Sequence, residues 1–129
     1  MSLLLTIHGE LRWLVALAGA IVLIKFLIGW LGKRDYTSLD RTLLLVFTVL
    51  LDINVLLGLI LLLFGGGFSG PRLEHATTMV LATIAAHMTA RFRGTPVAAT
   101  KFRNQLLLVL LALGLVLLGV FRLRGGFMF

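Results

Sequence analysis

Residues 71–90 read PRLEHATTMVLATIAAHMTA and form the least hydrophobic of the four apolar segments in the chain. The segment matches the roughly 20 residues that a helix needs to cross a bilayer. It carries two of the three histidines, His75 near one end and His87 near the other, with mostly small side chains between them. These features predict a membrane helix, and ionisable side chains in such a helix are candidates for function.

The composition of the whole chain indicates a membrane protein. Of its 129 residues 60% are hydrophobic, and the mean hydropathy is +1.09, more than a soluble domain of this size can bury. Cysteine is absent, which excludes disulfides, iron–sulfur clusters, thiolate zinc sites, c-type haem and cysteine nucleophiles. The net charge is +7, but no nucleic-acid-binding motif is recognisable in the sequence. We therefore expect a lipid bilayer, and no nucleic acid, as the partner of these basic residues.

The apolar segments alternate with short polar or glycine-rich connections, which predicts an all-α fold. We expect transmembrane helices at about residues 8–31, 38–64, 71–91 and 97–123. Short connections force neighbouring helices to be antiparallel, so the expected fold is a single-domain, four-transmembrane-helix up-down-up-down bundle. Ser38 is the expected N-cap of the second helix, and Pro71 falls in the first turn of the third, where proline is tolerated.

The basic residues are distributed unevenly between the two sides of this bundle. Both termini and the glycine-rich connection after residue 64 lie on one side, called side A, and the other two connections lie on side B. Side B carries Lys33, Arg34, Arg41, Arg91, Arg93, Lys101 and Arg103, whereas side A carries Arg12, Arg72, Arg122 and Arg124. Because cytoplasmic connections are richer in Lys and Arg, side B is expected to be cytoplasmic and both termini external.

Among the polar residues within the expected spans, four are candidate intramembrane groups: Lys25, Asp52, Asn54 and His87. Lys25 is close enough to the side B end to extend its ammonium group toward water, or it could pair with Asp52 inside the bundle. Asp52 is too short to reach water, so it must accept hydrogen bonds, pair with a cation or be protonated. Asn54 and His87 fit ordinary hydrogen bonds between helices.

His8 and His75 are expected at one depth, because each lies near the side A end of its helix. Two imidazoles from facing helices are what a bis-histidine b-type haem requires, so His8 and His75 are the candidate metal ligands. Arg12 and Arg72 could pair with haem propionates at the interface. Glu74 could fix the tautomer of His75 or complement the helix N-terminus.

Other interpretations of these residues stay open. The same residues could bind a quinone or another small ligand, or have purely structural roles. His87 lies about 18 Å beyond His75 along the helix, so it cannot ligate the same metal. No P-loop, catalytic triad, HExxH motif or pair of catalytic carboxylates is present, so we do not expect the chain to be an enzyme on its own. A proton-handling role for Asp52 and Lys25 is a weaker third interpretation.

Small and large apolar side chains predict how the helices pack. A broad face of small residues on the third helix is expected to allow close helix approach, and it comprises His75, Met79, Ala82, Thr83, Ala86 and Ala90. Ala16, Gly19 and Ala20 form a similar strip on the first helix. The leucine-rich fourth helix has no polar side chain between Gln105 and Phe121, which favours a helix that faces lipid or a partner.

Several short motifs together resemble a known family. They are His8-Gly9-Glu10-Leu11-Arg12-Trp13, Ile28-Gly29-Trp30-Leu31-Gly32, the run from Asp52 to Leu61, Glu74-His75 and Ala86-His87. This pattern resembles a family of small bacterial four-helix membrane proteins often labelled "cytochrome b", and it covers the first three helices. It departs at Asp52, where some relatives carry a histidine. A carboxylate is a poor axial haem ligand, so this departure argues against a haem at mid-membrane but does not affect the His8–His75 pair.

The resemblance implies a location in the bacterial cytoplasmic (inner) membrane. It also implies a haem b cofactor and a role in electron transfer or in anchoring a redox partner. The alternative is a non-catalytic accessory subunit that packs against other membrane subunits or forms a homo-oligomer.

Overall fold

The chain folds into four α-helices, seen in a computed structural model that describes residues 2–65 and 69–124, with side chains to residue 121. They are α1 (Ser2–Leu31), α2 (Ser38–Phe64), α3 (Gly70–Met88) and α4 (Ala98–Arg124), and a 3₁₀ helix (Thr89–Phe92) follows α3. No strand occurs in the described part of the chain. The prediction of an all-α fold is therefore confirmed.

Three of the described helices, α1, α2 and α4, are long and apolar enough to cross a membrane. α3 is shorter and less apolar, because Glu74, two histidines and three threonines interrupt its hydrophobic residues. Three of the four predicted spans are therefore confirmed as helices that could cross a membrane.

The ends of the helices differ from the predicted ones in three places. α1 begins at Ser2 rather than near residue 8, and α3 ends at Met88, where the chain tightens into the 3₁₀ helix. The N-cap of α2 is Thr37 and not Ser38. The Thr37 hydroxyl accepts from the backbone N–H of Asp40, and the Asp40 carboxylate accepts from the backbone N–H of Thr37 at 2.8 Å. This reciprocal capping box fixes where α2 starts.

Each helix packs against two others around a shared core. α1 contacts α2 and α4, α3 contacts α2 and α4, and the interface between α2 and α3 is the sparsest of the four. The core is built around the rings of Phe26, Phe47 and Phe102, which are all fully buried. Aromatic and aliphatic groups of this size supply most of the apolar area that a small helical domain buries.

Glycines, and not the expected alanines, bring α1 close to α4. Gly19 lies against Leu113 and Gly29 lies against the ring of Phe102, and both glycines are buried. Ala16 and Ala20 are exposed instead. The expectation for the strip on the first helix was therefore wrong for its alanines, because the helix is rotated to place the two glycines in the interface.

α4 is a core helix on one face, which corrects the expectation that it faces only lipid or a partner. Its buried residues are Phe102, Gln105, Leu106, Val109, Ala112, Gly119 and Val120. Its other face carries exposed leucines such as Leu110 and Leu118. On α3 the small-residue face is used in part as expected, since Met79, Ala82 and Ala86 are buried, whereas Ala90, in the 3₁₀ helix after α3, is exposed.

Lys25 forms an ion pair with Asp40 and not with Asp52. The Lys25 ammonium lies 2.6 Å from the Asp40 carboxylate, which is only 1% exposed. Asp40 stands in the first turn of α2, at the same end of the bundle as the C-terminal part of α1. Asp52 lies about 18 Å further along α2, beyond the reach of the Lys25 side chain. The possible Lys25–Asp52 pair is therefore not formed.

A second polar cluster ties the connection between α1 and α2 to the rest of the bundle. The Tyr36 hydroxyl donates to the side-chain oxygen of Gln105, whose amide donates to the backbone oxygen of Thr89 at 3.0 Å. The Tyr36 ring packs on Phe102, and the Lys101 ammonium lies 3.8 Å from the Tyr36 ring centroid. We call these contacts, together with the Lys25–Asp40 pair, the side B clasp.

Candidate functional site

A cavity of about 280 Å³ lies between the four helices, at the end opposite the side B clasp. Five polar side chains from three helices line it: His8, Arg12, Asn54, Arg72 and His75. Most of the remaining wall is apolar, and α4 contributes two valines to it. A mostly apolar cavity with a few convergent polar groups is the usual form of a small-molecule site. We call it the side A cavity.

The structure brings four of the five predicted cofactor-binding residues to this one cavity. His8 and Arg12 reach it from α1, and Arg72 and His75 reach it from α3. Glu74 is exposed and does not line it. The two candidate metal ligands therefore share a cavity although they are far apart in the sequence.

The tautomer of His75 is set by a bond to α4. Its Nδ1 lies 3.1 Å from the backbone oxygen of Gly119. A carbonyl oxygen can only accept, so Nδ1 carries the proton and Nε2 carries the lone pair. The role considered for Glu74, to fix this tautomer, is therefore filled by Gly119. A Cβ at residue 119 would meet the terminal methyl group of Met79, so Gly119 leaves room for the Met79 side chain between α3 and α4.

The ring of His8 lies against α2 at a glycine. A Cβ at Gly58 would lie 2.9 Å from Cε1 of His8, so the absence of a side chain makes room for the imidazole. In the described part of the chain, Nδ1 of His8 and Oδ1 of Asn54 are buried without a well-aligned hydrogen bond. Asn54 of α2 nevertheless interacts with the His8 imidazole of α1, which is the kind of contact between helices that was expected for Asn54. The polar groups of both residues lie at a cavity where a polar ligand atom or water could complete their hydrogen bonds.

The two arginines are held by the protein at the mouth of this cavity. Nη2 of Arg72 donates to the backbone oxygen of Leu61 at 2.9 Å, and Nη1 donates to that of Gly65 at 3.4 Å. These bonds cap the C-terminus of α2, so Arg72 is already engaged where a propionate partner was expected. The Arg12 guanidinium lies 5.3 Å from the Trp13 ring centroid.

Asp52 and His87 form a pair outside the side A cavity. Nε2 of His87 lies 2.8 Å from both carboxylate oxygens of Asp52, which joins α3 to α2. This is the hydrogen bond to a neighbouring helix that we expected for His87. It also gives Asp52 the partner that it requires, although the expected candidate was Lys25. His87 is 56% exposed and Asp52 is 37% exposed, so the pair lies at the surface of the bundle.

Sequence reasoning missed several residues that shape these sites. Asp40, Tyr36 and Gln105 were not predicted as site residues. A usable signal was that Lys25 and Asp40 lie at the same end of the bundle. Gly58 and Gly119 are isolated glycines inside helices, and such glycines often mark close packing.

Comparison with known proteins assigns no family to the chain. It matches no family model, and no curated protein or solved structure matches it. The function therefore has to be argued from the side A cavity and the two polar pairs.

Proposed function

We propose that the chain is an integral membrane protein of the bacterial cytoplasmic membrane, with four spans in an up-down-up-down bundle and both termini external. The side A cavity supports this order, because it collects the N-terminal parts of α1 and α3 and the C-terminal parts of α2 and α4. The side B clasp collects the opposite ends. The excess of basic residues on side B supports its assignment to the cytoplasm.

The fourth span in this proposal is α3, whose polar side chains are largely compensated within the helix. The hydroxyls of Thr77, Thr78 and Thr83 each donate to the backbone oxygen four residues earlier, at 2.8 to 3.1 Å. Such internal bonds lower the cost of a hydroxyl in an apolar environment. His87 is bonded to Asp52, which reduces the cost of both groups. These bonds support insertion of α3 together with its neighbours.

We further propose that the side A cavity holds a b-type haem between His8 and His75, for electron transfer or to anchor a redox partner. The observation that carries this proposal is that two histidines from different helices line one cavity. The bond of His75 Nδ1 to the Gly119 carbonyl leaves Nε2 for a metal, and such a bond from the other ring nitrogen is typical of metal-ligating histidines. The resemblance of the His8–Trp13 and Glu74–His75 motifs to cytochrome b-like proteins points the same way.

The residues of the chain have distinct tasks in this site. His8 and His75 would hold the iron, and Gly119 would orient His75 through its carbonyl. Arg12 places a cation at the cavity wall, where an anionic substituent of a ligand would be stabilised. Arg72 could also stabilise such a substituent while it keeps its hydrogen bond to the end of α2. A bound haem would supply one-electron transfer.

A second candidate ligand is a quinone, which the size of the cavity favours. The volume of about 280 Å³ is at the lower end of the roughly 300–1,000 Å³ typical of small-molecule sites. A single-ring head group needs less room than a haem macrocycle. Asn54 lines the cavity beside His8, and its Oδ1 atom could accept from a quinol hydroxyl.

A visible absorption spectrum of the purified protein tests the haem proposal. We expect a Soret band in the protein as isolated or after addition of haem, with sharpened bands on reduction. Absence of the band in both preparations would refute haem binding. Quinone binding is then tested by extracting the purified protein with solvent and identifying the extracted lipids. A protein that binds neither would fit the alternative of a non-catalytic accessory subunit.

Two histidine variants test the ligand assignment. His75→Ala should abolish the band, whereas His87→Ala should leave it, because His87 lies outside the side A cavity. Circular dichroism of both variants checks that the helices are retained. Equal loss of the band in the two folded variants would show that the His8–His75 assignment is wrong.

A further inference from the structure

The Asp52–His87 pair lies at a depth where a polar surface is unusual. Asp52 is near the middle of α2 (Ser38–Phe64), with about 20 Å of helix on either side of it. If α2 spans the bilayer, as proposed above, Asp52 lies near the midplane of the hydrocarbon. Yet the His87 side chain is 56% exposed and that of Asp52 is 37% exposed. The single chain therefore presents an acid–imidazole pair to lipid.

Lipid is a poor cover for this pair. Carboxylates and imidazoles inside membranes almost always face a bundle interior, a wet cavity or a polar partner. The short Asp52 side chain cannot reach an interface from the middle of a helix. The bond between Asp52 and His87 uses only part of the hydrogen-bonding capacity of each group. A carboxylate accepts more than one hydrogen bond, and an imidazole has a second ring nitrogen. The exposed part of the Asp52–His87 pair therefore needs a further polar partner.

We propose that this face is the interface between two copies of the chain. The argument is complementarity: the pair contains both an acceptor-rich carboxylate and an imidazole donor. A two-fold axis lets the Asp52 carboxylate of one copy contact the His87 imidazole of the other, and the reverse, so the same patch serves both partners, as an isologous interface requires. Two such pairs can then exchange hydrogen bonds across the axis and withdraw each other from lipid.

The surroundings of the pair suit a helix–helix interface in a membrane. Val49 and Leu56 lie one turn to either side of Asp52, and Ile84 lies one turn before His87. All three are exposed, at 44%, 59% and 52% respectively. The interface between α2 and α3 is also the sparsest in the chain, so this face has the least packing from the chain itself. A ring of apolar side chains around a hydrogen-bonded polar centre is typical of associating membrane helices.

Single-cysteine crosslinking tests the proposal directly, because the natural chain has no cysteine. Val49→Cys, Leu56→Cys and Ile84→Cys are each compared with Leu110→Cys in oxidised membrane vesicles and with a short bis-maleimide. Leu110 is a matched control, since it is 54% exposed near the middle of α4. We expect at least one of the three positions to give crosslinked dimer in at least five-fold higher yield than Leu110→Cys. Equal yields at all four positions would overturn the proposal.

A second set of variants tests whether the polar pair drives the association. Combining Asp52→Leu and His87→Leu in the best crosslinking background should lower the dimer yield at least five-fold, while Asp52→Asn, which keeps hydrogen bonds, should lower it less. An undiminished yield in the double leucine variant would overturn the role of the pair. If the double variant loses its helical circular dichroism, the comparison with Leu110→Cys still decides the proposal. Crosslinking only to a different protein would also overturn it.

Discussion

Tyr36 shows how the side B clasp changes the chemistry of a single residue. Burial raises the pKa of its hydroxyl from 10.0 to about 12, and the nearby Asp40 carboxylate adds to the effect. The unfolded chain loses this proton near the ordinary value, so between the two values only the folded state keeps it. The contribution of the protonated hydroxyl to stability is therefore complete below pH 10 and is lost as the pH rises through about 12.

Because Tyr36 is the single tyrosine, ultraviolet absorbance reports on it without interference from other phenols. We expect the tyrosinate signal of the folded protein in detergent to have its midpoint near pH 12. The same titration in denaturant should have its midpoint near 10. A midpoint near 10 in the folded protein, with circular dichroism unchanged, would show that Tyr36 is not enclosed by the clasp.

The polar residues illustrate what can be predicted from sequence at this scale. The need of Asp52 for a partner follows from its short side chain and its depth, and the structure supplies one. The partner itself depends on how α2 and α3 are rotated and offset, which no local pattern encodes. For the same reason His8 and His75 could be assigned to one end of the bundle, whereas the bonds from Arg72 to the end of α2 could not be predicted.

At the scale of the helices, the contact between α1 and α4 depends on Gly29, which has no side chain. A Cβ at Gly29 would lie 2.5 Å from the ring of Phe102, and that ring is only 1% exposed and packed against other aromatic rings. The ring cannot move without disturbing the side B clasp. Overpacking of this kind costs about 1–3 kcal/mol, so Gly29→Ala should destabilise the protein by that amount.

Gly114→Ala is the matched control, because nothing in the described structure lies within 4 Å of a Cβ at that position in α4. It should change stability little, or raise it by up to about 1 kcal/mol through helix propensity. Both variants are measured by denaturant unfolding in the same detergent, followed by circular dichroism. Equal effects of the two substitutions would mean that the close approach at Gly29 does not stabilise the bundle.

The existence of the helices could be predicted from their apolar length, but their rotation could not. Each apolar segment is hydrophobic nearly all round, so periodicity does not single out the buried face. This is why Ala16 and Ala20 were expected in an interface that Gly19 and Gly29 occupy. It also explains why α4 was expected to face lipid although one of its faces lies in the core.

At the scale of the whole molecule, the two ends of the bundle differ in how their polar groups are used. The side B clasp pairs its acid, amide and hydroxyl groups within the chain. The side A cavity instead gathers the polar side chains of His8, Arg12, Asn54, Arg72 and His75 around one space. One end is therefore built mainly for stability, and the other contains polar groups that a ligand could satisfy.

The two ends of the bundle lie on opposite sides of the membrane only if α3 crosses it, and single cysteines can test this crossing. Gly70 and Gly94 flank α3 and its 3₁₀ extension, and both are exposed with nothing within 4 Å of a Cβ. With four spans and side B in the cytoplasm, a membrane-impermeant maleimide should label Gly70→Cys in cells whose inner membrane is intact. Gly94→Cys should be labelled only after that membrane is permeabilised.

Asp35→Cys, in the exposed connection between α1 and α2, provides the reference for side B and should behave as Gly94→Cys does. Labelling of Gly70→Cys and Gly94→Cys from the same side would mean that α3 does not cross, and the chain would then have three spans. Labelling of Gly94→Cys and Asp35→Cys alone in unpermeabilised cells would keep the four spans but reverse their orientation. The charge difference between the two sides would then not set the topology of this protein.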